Sequence, residues 1–197
     1  MTWRPAIWLV ALAVVVVDQA TKQWALEALV PYEQHEVLGD FLSIQLVFNS
    51  GAAFSLGDGY TWVMTIIALV VTVGIVYYAR RAQSTAAVWL FGIGLGGAIG
   101  NLIDRLFRDP SFGQGHVVDM INYNGWFVGN VADIAIVGAA IAVLIMSFMH
   151  KPILAPRPGA GGDASADDMP DPQAATDDPV TTAPAVPSPN SGDEPRG

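Results

Sequence analysis

Cysteine is absent from all 197 residues, which excludes disulfides, a thiolate metal site and a cysteine nucleophile. Positive charge is scarce as well: nine Lys and Arg stand against eighteen Asp and Glu. No segment offers the basic face that a nucleic acid partner requires. The three histidines, His35, His116 and His150, are scattered without an H-E-x-x-H pair, so no metal site and no cofactor is expected. Beyond Lys151 there is no aromatic residue, and Pro, Ala, Asp, Gly, Ser and Thr dominate. Such a segment cannot bury enough apolar surface to offset its ordering entropy. Residues 1–154 are therefore expected to form one domain, and 155–197 a disordered, acidic cytoplasmic tail.

What remains is strongly apolar: hydrophobic residues make up 52% of the chain, and the mean hydropathy is +0.42 in spite of the tail. Four stretches approach the roughly 20 residues needed to cross a bilayer, at about 6–26, 60–79, 86–103 and 128–149. The first is the right size for a secretory leader, but Val17 runs into Asp18-Gln19-Ala20-Thr21-Lys22, which is no small-x-small cleavage site. The expected fold is an all-α membrane bundle of four transmembrane helices. Leu42 to Leu46 alternates as a half-buried strand does, and His116 to Met120 offers a second extended piece, which together predict a small extracytoplasmic β element. Gly92, Gly96 and Gly100 recur at four-residue spacing, which suits close helix packing.

Orientation follows from the basic residues near the helix ends. Arg4, the pair Arg80-Arg81, Lys151 and Arg157 fall on one side, whereas the connection 27–59 has no Lys or Arg. Both termini are therefore expected in the cytoplasm, with the connections 27–59 and 104–127 outside. Threaded that way, Asp18 and Lys22, then Asn101, Asp104 and Arg105, then Asn130 and Asp133 all converge just under the outer surface. Each group lies on one helix face, at i, i+3 or i+4. Ionisable groups at membrane depth are costly and usually mark a functional site or an ion path. A purely structural reading pairs Asp18 with Lys22 and Asp104 with Arg105. It leaves over Asp119 and Asp133, which have no basic neighbour in their own segments. Asn122, Asn124 and Gly125 supply turn chemistry between them, so the chain can fold back and bring the two carboxylates together. Two close, partly desolvated carboxylates share a proton, one acting as base and the other as acid.

Five blocks then resemble, in order, those of the lipoprotein signal peptidase (signal peptidase II) family: Asp18-Gln19-Ala20-Thr21-Lys22; Asn49-Ser50-Gly51-Ala52-Ala53-Phe54; Gly97-Ala98-Ile99-Gly100-Asn101-Leu102-Ile103-Asp104-Arg105; Val117-Val118-Asp119; and Asn130-Val131-Ala132-Asp133. They span roughly residues 7–150. The resemblance implies an aspartyl endopeptidase of the bacterial inner membrane that cuts diacylglyceryl-modified prolipoproteins just before the lipidated cysteine. It implies Asp119 and Asp133 as the catalytic pair, with Asn49, Gly51, Asn101, Asp104, Arg105 and Asn130 around it and Asp18 and Lys22 in support. It further implies membrane lipids as surroundings and globomycin as an inhibitor. Two rival readings stand beside it. A small transporter or proton-conducting protein also uses intramembrane carboxylates, but needs them at several depths. A non-enzymatic lipid or peptide binder does not need both aspartates.

Overall fold

The computed structural model describes residues 5–51 and 61–155; the expected tail beyond Ala155 and Ala52 to Phe54 lie outside them. Helix α1 (Pro5–Ala28) opens on Pro5, whose missing N–H goes unused in a first turn. Strands β1 (Gln34–Leu38) and β2 (Leu42–Asn49) follow, then helices α2 (Thr61–Ala79) and α3 (Thr85–Phe107). Strands β3 (Val117–Tyr123) and β4 (Phe127–Gly129) lead into α4 (Val131–Phe148). All four helices are long and apolar enough to cross a membrane, as the composition predicts. The chain is thus a multi-pass membrane protein.

Two boundaries differ from those expected. The third span continues to Phe107, because nothing after Ile103 breaks the helix before the Asp109-Pro110 step. The fourth starts at Val131 rather than 128, because Phe127–Gly129 pairs with β3 and Asn130 caps the helix. The polar groups of the last block therefore sit in the first turn of α4.

Helix α3 is the centre of the bundle and packs against α1, α2 and α4. Its glycines explain how. A Cβ on Gly92 would lie 2.8 Å from the Val10 Cβ, and one on Gly96 would lie 2.6 Å from the Val14 Cβ. On Gly97 it would meet the Ala132 backbone oxygen of α4 at 2.5 Å. In lipid, with no hydrophobic force between helices, such backbone approach is what holds them together. Around this seam Ile7, Ala11, Val88 and Leu95 form a buried apolar cluster.

The antiparallel sheet has the order β1-β2-β3-β4. It sits at the end of the bundle where α1 and α3 finish and α4 starts. Leu46, Val118 and Met120 pack on Ala25 of α1, which seats the sheet on the helices. The hairpin between β3 and β4 turns at Asn124 and Gly125, both at positive φ (53° and 73°). Those are the residue types that tolerate the left-handed region. The Asn122 Oδ1 accepts from the Gly125 N–H at 2.8 Å and closes the turn. That turn aims β3 back toward α4.

Candidate active site

Asp18, Lys22 and Asp104 are wholly shielded from solvent. The Lys22 ammonium donates to the Asp18 Oδ2 at 2.9 Å, the Asp104 Oδ2 at 2.8 Å and the Asn101 Oδ1 at 2.9 Å. Its three N–H donors are all used. A lone buried charge is expensive, and pairing with complete hydrogen bonding is what makes it tolerable. The carboxylates reach further. Asp18 accepts from the Ala132 N–H at the start of α4 (2.9 Å), and Asp104 accepts from the Val118 N–H of β3 (3.2 Å). A Cβ on Gly100 would lie 2.5 Å from the Asp18 Oδ2, so glycine there makes room for the ion cluster. One cluster thus ties α1 and α3 to the two elements that carry Asp119 and Asp133.

The pairing of Asp104 with Arg105 that the sequence suggests does not form. Asp104 bonds instead to the Arg108 Nε at 2.7 Å. Consecutive helical side chains diverge, whereas i and i+4 share a face. Arg108 and Gln19 are the participants that the reading of the sequence missed. The Gln19 Nε2 donates to the Gly100 oxygen and the Asp104 Oδ1, both at 3.1 Å, and its Oε1 accepts from Arg108 at 3.3 Å. The i+4 spacing from Asp104 was the available signal for Arg108; nothing in the sequence singled out Gln19 within its block.

Asp119 is 1% exposed on β3. The Asn49 Nδ2 donates to its Oδ2 at 2.9 Å, and the Asn130 Nδ2 donates to its Oδ1 at 2.6 Å. Asn49 is oriented by the Gly51 N–H, which its Oδ1 accepts at 2.8 Å. Gly51 has φ +92°, and a Cβ there would lie 2.5 Å from the Met64 Cγ of α2. Both features require glycine. Burial pushes the Asp119 carboxyl up from its ordinary 3.8 to about 7. The Asn49 bond opposes that rise, the charge of Asp133 adds to it, and the Asn130 bond opposes it again.

Asp133 is the third residue of α4 and forms a capping box with Asn130. The Asn130 Oδ1 accepts from the Asp133 N–H at 3.0 Å, while the Asp133 Oδ2 accepts from the Asn130 N–H at 3.1 Å. The other carboxylate oxygen takes the Asn101 Nδ2 at 2.8 Å. The Asn101 Oδ1 in turn accepts from Asn130 at 3.1 Å. A continuous path therefore runs from Asp119 through Asn130 and Asn101 to Asp133. All ten residues singled out in the sequence lie in or against this network.

Asp133 also borders two cavities. One, of about 290 Å³, is lined by Asn49, Met64, Asn101, Arg105 and Val117 together with apolar positions of α2 and α4. The other, of about 460 Å³, lies between Tyr123 and Phe127 of the hairpin and Ile134, Val137 and Ile141 of α4, and is almost wholly apolar. Arg105, 8% exposed, lines the first cavity, and its buried Nη1 has no hydrogen-bond partner among the described residues. The charges of Asp119, Asp104 and Asp133 all bear on it. A buried donor left unpaired is costly, and a polar ligand in the cavity is what would satisfy it.

The arrangement is a partly desolvated carboxylate pair fixed by amide donors, with a cationic donor beside it. Residues 10–149 match the family model described as signal peptidase (SPase) II. The chain is 48% identical over 140 residues to the lipoprotein signal peptidase of Mycobacterium tuberculosis (strain ATCC 25618 / H37Rv), covering 70% of this chain and 68% of that one. It is 43% identical over 162 residues to that of Mycolicibacterium smegmatis (strain ATCC 700084 / mc(2)155), covering 80% and 68%. A bacterial membrane enzyme solved by the in meso method superposes with a TM-score of 0.64 at 26% identity, over 74% of this chain and 94% of that one.

Proposed function

This chain belongs to the signal peptidase II family, and from that premise we propose that Asp119 and Asp133 jointly activate the water that cuts its substrate. As a member of that family it is a membrane-embedded protease that removes signal peptides from lipoproteins, and nothing favours the transporter reading. The observation that carries the proposal is the pair itself. Of the four aspartates gathered at this end of the bundle, Asp119 and Asp133 are bound by amides alone, whereas Asp18 and Asp104 are neutralised by Lys22 and Arg108.

The pair shares one proton. That proton is assigned to Asp119, the more deeply buried of the two, and the role of base to Asp133. Asp133 takes a proton from water as its oxygen attacks the scissile carbonyl carbon, and Asp119 gives its proton to the carbonyl oxygen. Asp133 then passes its proton to the departing amine nitrogen as the C–N bond breaks. Asp119 recovers a proton from the collapsing diol, and the signal peptide leaves with a new carboxyl end. The free Nη1 of Arg105 holds a backbone carbonyl of the bound peptide, an interaction worth more in a dry cavity than in water.

The substrate class is a signal peptide whose cysteine already carries diacylglycerol, cut just before that cysteine. The cavity between α2, α3 and α4, with Asn49, Asn101, Arg105 and Asp133 in its wall, suits the peptide, and the apolar one along α4 suits acyl chains entering from the bilayer. The enzyme sits in the bacterial inner membrane with both termini cytoplasmic and the sheet at the outer face, as the basic residues at 80–81 and 151 direct. Globomycin, a cyclic peptide, would compete for the same cavity. The test uses one purified prolipoprotein with and without its diacylglyceryl group. The lipidated form should be cleaved and the bare form left intact; equal cleavage of both would remove the lipid from recognition.

A further inference from the structure

Facing residues of paired strands share a face of the sheet. Asn49 and Asp119 lie on the catalytic face, so Phe48 and Val118, paired with each other, lie on the opposite one. Phe48 and Val118 border a cavity of about 610 Å³ that neither Asp119 nor Asp133 lines. Leu26 and Phe107 supply further apolar wall, and Tyr32, Arg108, Asp109 and His116 supply its charged and titratable groups. Arg108 donates through Nε to Asp104 and through Nη2 to Gln19, and its Nη1 has no partner among the described residues. The His116 imidazole and the exposed Asp109 carboxylate likewise make no side-chain bond there; their link is the His116 N–H donating to the Asp109 oxygen at 2.9 Å.

The level of this cavity identifies its occupant. Leu26 lies in the last turn of α1 and Phe107 ends α3, where two spanning segments leave the hydrocarbon core. Phe107 is 71% exposed and packs edge-on against the equally bare Phe112, which leaves apolar surface uncovered where α3 ends. We propose that the cavity binds a glycerophospholipid, its phosphodiester on Arg108 and His116 and its acyl chains running down past Leu26 and Phe107. Guanidinium groups match phosphate geometry with paired donors. The Asp109 carboxylate beside them selects the headgroup: it complements an ammonium, which favours ethanolamine over the uncharged glycerol. This site lies on the face of the sheet opposite Asp119 and does not depend on the catalytic assignment.

The full chain, stripped of lipid in detergent, would be titrated with phosphatidylethanolamine, phosphatidylglycerol and chainless O-phosphoethanolamine and read by native mass spectrometry. One retained phosphatidylethanolamine is expected. Losing a charge-assisted hydrogen bond should weaken it about tenfold in Arg108→Gln, and His116→Leu should weaken it in the same direction. Asp109→Asn should erase the preference for ethanolamine over glycerol headgroups. Arg108 also holds Asp104, so His116→Leu and Asp109→Asn keep the test sound if Arg108→Gln fails to fold. Equal retention by the native chain and the two folded variants would overturn the proposal. So would absence of a retained lipid, or binding of O-phosphoethanolamine as tight as that of the lipid, which would mark a plain anion site.

Discussion

Asp119 takes its character from where it sits: burial lifts its carboxyl, the amide of Asn49 offsets part of that rise, and the balance stands at about 7. Two consequences follow with opposite dependence on structure. Cleavage that needs a protonated Asp119 should fall about tenfold per pH unit above that value. In Asn49→Ala the carboxylate loses a donor that favours its charged form, so the alkaline limb should move to higher pH; a limb that stays put or moves down would remove Asn49 from this role. Stability has the matching sign. The folded state binds a proton that the unfolded chain releases near its ordinary 3.8, so this group stabilises the fold at low pH and loses that contribution as pH rises toward about 7. The aspartates were legible in the sequence because they lack local basic partners. The bond of Asp104 to Lys22 was not, because it depends on which helices meet, whereas its i+4 bond to Arg108 was there to be read and was passed over. The unpaired Arg105 nitrogen was equally invisible, since satisfaction is a property of the packed site.

Among the elements, α3 sets the geometry by letting α1 and α4 come close. Gly96→Val would drive a side chain into Val14 and the Ala11 oxygen, already 2.6 and 2.7 Å from a Cβ. Overpacking of this kind costs about 1–3 kcal/mol. It should lower the thermal midpoint in detergent and reduce cleavage by shifting Asp18 and Lys22. Gly74→Ala, where a Cβ meets nothing within 4 Å, should leave both intact, since alanine favours helix. Equal effects of the two would show that the seam is not close-packed. The four-residue glycine spacing announced the seam in the sequence but not which helix fills it. The strands were legible in part: Leu42 to Leu46 alternates visibly, whereas β1 is exposed throughout and carries no burial pattern to read. The early start expected for α4 failed because Val128, apolar enough to extend a span, pairs with Asn122 instead.

For the whole molecule, the helices fix which groups share a level, and the proposed orientation, drawn from the charges at 80–81 and 151, turns that level outward. The native chain has no cysteine, so single replacements report cleanly. Ser111→Cys, in the exposed turn after α3, should react with an impermeant thiol reagent added from outside the inner membrane, and Gln83→Cys should not; the reverse pattern would invert the topology. Deleting 157–197 should leave insertion and cleavage largely intact, given that segment's composition, and a large loss in a properly inserted truncation would assign it a role. Cleavage itself should withstand chelators, since the sequence offers no thiolate and no paired histidines. The most direct measurement is single-turnover cleavage of a lipidated prolipoprotein by the native chain, Asp119→Asn and Asp133→Asn, each verified as folded by its melting curve. Acid–base partners acting in one step contribute orders of magnitude, so each variant should lose at least about a thousandfold in rate. Near-native turnover by either folded variant would contradict a catalytic pair.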